Sequence, residues 1–163
     1  MTREIEAYFL EMAKLVGSRS TCDRGRAGCV IVRNKQVLVT GYAGSPTGLP
    51  HCDDVGHEFE ERIHSDGKVT KHCIRTIHAE QNALIQAALH GVSVDKATLY
   101  CTMTPCYACA KLIVNAGIKN VVVGNDYHDA IKTKRLFLFA RITLIIASPI
   151  EKNYEDTCDK NNC

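Results

Sequence analysis

Two short stretches hold residue types able to do chemistry. Residues 76–82 read TIHAEQN, and residues 104–111 read TPCYACAK. A catalytic zinc ion takes three protein ligands and leaves a fourth position to water. Cys106 and Cys109, three apart on one helical turn, can both reach one ion, and His78 can supply the third ligand from another helix. Placement at a helix N-terminus favours the thiolate forms, through unpaired amides and the helix dipole. Glu80 then stands beside the metal's water rather than on the metal. A structural zinc would close its shell with a fourth Cys or His and has no use for Glu80. A Cys-x-x-Cys redox pair would need neither His78 nor Glu80.

These residues must be delivered by regular elements. HAEQNALIQAALH (78–90) is rich in helix formers and stops at Gly91; PCYACAKLIVNAG (105–117) opens at a proline turn and stops at Gly117. Each half of the motif therefore sits at the start of a helix. Ile5, Tyr8, Phe9, Met12, Leu15 and Val16 recur at helical spacing and predict a helix over 2–16, ended by Gly17. AGCVIVR (27–33) and QVLVTGY (36–42) predict a hairpin turning at Asn34-Lys35. ATLYC, NVVVG and ITLIIA predict three more strands, with a helix over 128–140 before the last. The order α-β-β-α-β-α-β-α-β implies an α/β fold: a three-layer α/β/α sandwich around a five-stranded mixed sheet. Residues 43–75 show no periodicity, and a loop of that length is expected to be functional or pinned.

The chain is 163 residues long, and one domain over 1–150 with a polar tail over 151–163 is expected. Its 20 basic and 18 acidic residues leave a net charge of +2, which argues against a general nucleic-acid partner. LFLFA and ITLIIA are split by Arg141 and too short to span a bilayer, and MTREIEAYFLEM lacks the pattern of a signal peptide. A cytoplasmic protein is expected. Nine cysteines, an odd number, argue against a disulfide framework in that setting. Cys29 and Cys101 lie in apolar strand-like runs and read as small core residues, and Cys158 and Cys163 lie in the tail.

H-x-E…P-C-x-x-C is the established signature of zinc deaminases acting on cytosine or adenine. Hydroxide adds to the ring carbon, the carboxylate shuttles protons to the ring nitrogen and the departing amine, and ammonia leaves. HCIRTIHAEQNAL, YCTMTPCYACAKLIVNAGIKNVV and the upstream GYAGSPTG together resemble the deoxycytidylate (dCMP) deaminases of bacterial and phage type, over residues 5–147. The resemblance implies the cytidine deaminase-like fold, conversion of dCMP to dUMP for thymidylate synthesis, and a homohexamer. It also implies activation by dCTP and inhibition by dTTP, with Mg2+ accompanying the triphosphates, and the host cytoplasm as the setting if the gene is phage-borne. Gly41, Tyr42 and Gly44 of the GYAGSP loop are the implied effector contacts. Ala43 departs from the Asn common in the family. Competing readings are a tRNA adenosine deaminase, another small-molecule deaminase, and a dCTP or dTTP sensor without turnover; the tRNA enzyme should be more basic, and the sensor has no need of Glu80.

The resemblance puts the mouth of the substrate pocket just before the first strand, so Arg24 and Arg26 are the candidate phosphate-binding cations and the Ser45 hydroxyl a weaker candidate; Tyr127 is expected to pack on the base and Ala79 to line the pocket. Either arginine could equally be a solvated surface charge. A second, structural zinc is expected at Cys22, Cys52, His72 and Cys73, because the 43–75 insertion has little apolar content to order it. Adjacent residues share one ion only in a bent loop, so His51, His57 and His64 are alternatives for one place.

Overall fold

The computed structural model describes residues 5–63, 67, 69–127 and 129–152. Helix α1 (Ile5–Gly17) turns Phe9, Leu10 and Ala13 inward. Strands β1 (Gly28–Arg33) and β2 (Gln36–Tyr42) form the expected hairpin, with Asn34 and Lys35 at φ 53° and 62°, the left-handed pair a two-residue turn requires. After a short helix α2 (Cys52–Val55) come strands β3 (Phe59–Ile63) and β4 (Val69–Cys73), then α3 (Ala79–Leu89), β5 (Thr98–Met103), α4 (Tyr107–Asn115), β6 (Asn120–Tyr127), α5 (Ile131–Phe139) and β7 (Thr143–Lys152).

The main sheet has the order β2-β1-β5-β6-β7, antiparallel from β2 to β5 and parallel from β5 to β7. It is the five-stranded mixed sheet expected from the sequence. Alternation along β1 separates two cores. Val30 and Val32 pack with Phe9, Leu10 and Ala13 of α1, whereas Cys29 and Ile31 pack with Ala79 and Ala83 of α3, Ile113 of α4 and Phe137 of α5. Cys29 and Cys101 are fully interior, as small core residues. No helix among the described residues is long and apolar enough to cross a membrane.

The 43–75 insertion holds more structure than its sequence suggests. β3 and β4 pair antiparallel from Phe59↔Cys73 to Ile63↔Val69, forming a separate two-stranded sheet. Phe59, Ile63 and Val69 are exposed, so no buried face imposes an apolar alternation on the sequence. β7 continues to Lys152, past the boundary expected at 150; Cys158, Cys163 and the rest of 153–163 lie outside the described residues.

Candidate active site

The starts of α3 and α4 meet near the carboxyl ends of the parallel strands β5 and β6, where open α/β sheets gather ligand-binding groups. His78 is the N-cap residue of α3, and its amide donates to Gln81 Oε1 at 3.0 Å. Cys106 is the N-cap residue of α4, and Cys109 lies on its first turn. His78 Nδ1 is 3.5 Å from Cys106 Sγ and 3.4 Å from Cys109 Sγ. In a tetrahedral zinc site with Zn–S near 2.3 Å and Zn–N near 2.0 Å, a sulfur and a nitrogen ligand lie ~3.5 Å apart. The three donors thus fit zinc by type and by spacing.

Charge is poised for that role. Cys106 is pushed down to about 3, first by a hydrogen bond from the Cys109 thiol, against the opposing effect of burial, and with further help from His78. Cys109 keeps the shared proton and is raised correspondingly by Cys106 and by burial. Glu80 is buried; the loss of water raises its carboxyl above the ordinary glutamate value, opposed by the charge on His78. Glu80 and His78 line a cavity of about 560 Å³ together with Ala79, Cys106 and Tyr127.

Other sequence-derived candidates divide. Arg24 lines the cavity, with its guanidinium donating to the Lys71 carbonyl at 3.0 Å and lying 5.0 Å from the Phe59 ring centroid. Arg26 is exposed and lies outside the cavity lining, as does Ser45. Gly41, Tyr42 and Gly44 also lie outside it and hold α3 in place. A Cβ on Gly41 would fall 2.4 Å from the Ala79 oxygen, so only glycine lets the helix approach this closely. The Tyr42 carbonyl accepts from Asn82, and Gly44 bridges Ile77, the residue before His78. Lys71, Lys111 and Lys132 also line the cavity, and isolated lysines carry no sequence motif.

Cys22, Cys52, His57 and Cys73 form a second donor cluster, with one ligand atom from each lying within 4.8 Å of the others. Cys52 Sγ is 3.6 Å from Cys73 Sγ, and Cys22 Sγ is 3.7 Å from His57 Nδ1, close to the ~3.8 and ~3.5 Å of tetrahedral zinc ligands. His57 Nε2 lies 3.0 Å from Asp23 Oδ1, an ion-pair distance once the imidazole is protonated. Burial raises Cys73, but backbone hydrogen bonds at Glu58 and Arg75 and a bond to His57 outweigh it and bring the thiol to about 7. The expectation of His72 in this set is corrected. His72 and Cys73 are consecutive on β4 and so point to opposite sides; His72 Nε2 pairs with Thr70 Oγ1 at 2.9 Å. His51 is not in the cluster, and His64 lies outside the described residues.

Residues 3–125 match the family model of the cytidine and deoxycytidylate deaminase zinc-binding region. The chain belongs to this deaminase family. It is 40% identical over 137 residues to ComE operon protein 2 of Bacillus subtilis, covering 84% of this chain and 68% of that one. It is 39% identical over 139 residues to the deoxycytidylate deaminase of Schizosaccharomyces pombe, covering 85% of this chain but only 42% of the longer yeast protein. Among solved structures, the dCMP deaminase of cyanophage S-TIM5, in complex with dCMP and dUMP, aligns with a TM-score of 0.70 and 30% identity. That alignment covers 90% of this deaminase chain and 98% of the phage one.

Proposed function

We propose that this protein converts dCMP to dUMP and ammonia, using a zinc ion held by His78, Cys106 and Cys109. The observation that carries the reading is Glu80, buried in the cavity wall two residues from a histidine whose Nδ1 lies within 3.5 Å of both cysteine sulfurs. Bound there, zinc supplies Lewis acidity that brings the pKa of a water down to ~7. Glu80 moves the protons: it takes one from the attacking water and gives it to the ring nitrogen, then takes a second from the new C4 hydroxyl and gives it to the amine as the C4–N bond breaks and the C4 carbonyl forms. Its raised pKa suits a carboxyl that must hold a proton during each cycle. Tyr127, buried at the cavity wall, packs against the base, and Arg24 takes the 5′-phosphate as a guanidinium fork. The cyanophage relative solved with dCMP and dUMP supports this substrate class.

Cys22, Cys52, His57 and Cys73 would hold a second zinc with a closed, structural ligand set. Activation by dCTP and inhibition by dTTP, with Mg2+ on the triphosphates, a homohexamer and a cytoplasmic setting are carried by the family resemblance. Gly41, Tyr42 and Gly44 of the GYAGSP loop remain the proposed effector contacts, and the loop packs directly beneath the start of α3. The test is Glu80→Gln. Zinc content should be unchanged and dUMP formation lost; a variant that keeps most of its rate refutes the assignment.

A further inference from the structure

The catalytic reading leaves one buried charge unused. Asp126, at the end of β6, is nearly inaccessible, and both its oxygens have partners. Oδ1 accepts from the Thr104 hydroxyl at 2.9 Å and from the Tyr127 amide at 2.9 Å, while Oδ2 pairs with Lys134 of α5. Thr104 is also tied by its amide to the Asn125 carbonyl at 3.0 Å. The next carbonyl along, that of Pro105, accepts from the buried Thr133 hydroxyl at 3.0 Å. Thr104 and Pro105 are the two residues that deliver Cys106 to the start of α4.

One carboxylate therefore holds both the turn before a metal ligand and the backbone of the residue that walls the base pocket. A buried carboxylate is retained at a cost unless its partners repay the lost hydration. Here they do: burial raises its pKa, but hydrogen bonds from Lys134, Thr104 and the Tyr127 amide outweigh that and keep the group ionised. We propose that Asp126 is a positioning residue, which fixes the Thr104–Cys106 turn and Tyr127 relative to each other, with Lys134 and Thr133 bracing the arrangement from α5. Its meaning for catalysis rests on the deaminase reading; its effect on the turn does not.

The test is iodoacetamide labelling of the zinc-supplemented full chain, read cysteine by cysteine by peptide mass spectrometry. Asp126→Ala and Thr104→Val should each expose Cys106, speeding its alkylation about tenfold, the order of effect expected when a buried charge-assisted hydrogen bond is lost. Cys22, Cys52 and Cys73 should label at the unmutated rate. Asp126→Asn keeps an oxygen that can accept from Thr104 and Tyr127, so it should restore most of the protection. The proposal is overturned if Cys106 labels at the unmutated rate in both Asp126→Ala and Thr104→Val. It is equally overturned if all these cysteines accelerate together, or if Asp126→Asn behaves like Asp126→Ala. Labelling is read whether or not dCMP turns over, so failure here and failure of the proposed activity are separate results.

Discussion

Gly41→Ala separates a packing role for the GYAGSP loop from a purely regulatory one. The added Cβ would lie 2.4 Å from the Ala79 oxygen, 2.4 Å from the Ala83 nitrogen and 2.9 Å from the Ala83 Cα. All three are backbone atoms of α3 and cannot rotate away. Ordinary contact begins near ~3.4 Å, so the helix start must retreat by about 1 Å, and overpacking of this kind costs ~1–3 kcal/mol. In a domain of this size each kcal/mol lowers Tm by ~2–4 °C, so a fall of about 4–8 °C is expected for the middle of that range. The same helix carries Glu80, with His78 at its cap, and a 1 Å misplacement of catalytic groups costs on the order of 10²-fold in rate. The assay is dUMP formation at saturating dCMP with no triphosphate present, beside thermal unfolding. Gly44→Ala is the comparator: its nearest neighbour would be the Thr21 hydroxyl at 3.1 Å, a side chain able to give way. A Gly41→Ala enzyme with unchanged Tm and unchanged basal rate, deficient only in its response to dCTP, would refute the packing argument.

His57→Ala should lower zinc content from two to one per chain and raise the KM for dCMP more than it lowers kcat, because the cluster anchors the hairpin that supplies Lys71, His72 and Cys73 to the cavity wall; metal analysis beside steady-state kinetics checks it. Arg24→Ala should raise the KM for dCMP by about tenfold or more while leaving deoxycytidine almost unaffected, and Arg26→Ala should change neither. Asp126 has a folded pKa below its unfolded value of about 4, so its contribution to stability is fully present above that pH and is lost as pH falls through the folded value. Asp126→Asn should therefore lose stability at neutral pH and show a shallower further loss below about pH 4, read by urea unfolding across that range.

Much of the site was legible because its chemistry is local. Cys106 and Cys109 share a helical turn, and His78 and Glu80 share a helix start, so spacing alone brings each half of the motif together. The β1–β2 hairpin was legible for a similar reason, although Asn34-Lys35 lacks the glycine such turns favour. What escaped depended on tertiary partners. FEERI and VTKHC pair with each other and bury neither face, so their sequences carry no alternation to read. The choice between His57 and His72 turned on which side of β4 faces the cluster, a register that spacing across a loop does not specify. Arg141 takes φ 57° just after α5, doing the work of a glycine stop that the sequence lacks. Asp126 gave no signal, because its partners come from α5 and from the turn after β5, the nearest of them eight residues away apart from the adjoining Tyr127 amide.

The most direct test of the account is ammonia release by zinc-loaded protein offered dCMP, deoxycytidine, dCTP, guanine and tRNA in parallel, with metal content measured on the same sample. Selective turnover of dCMP, at least about tenfold above deoxycytidine and abolished in Glu80→Gln, is the predicted result. Zinc-loaded protein that releases no ammonia from dCMP, or that deaminates deoxycytidine or tRNA as readily, would contradict it.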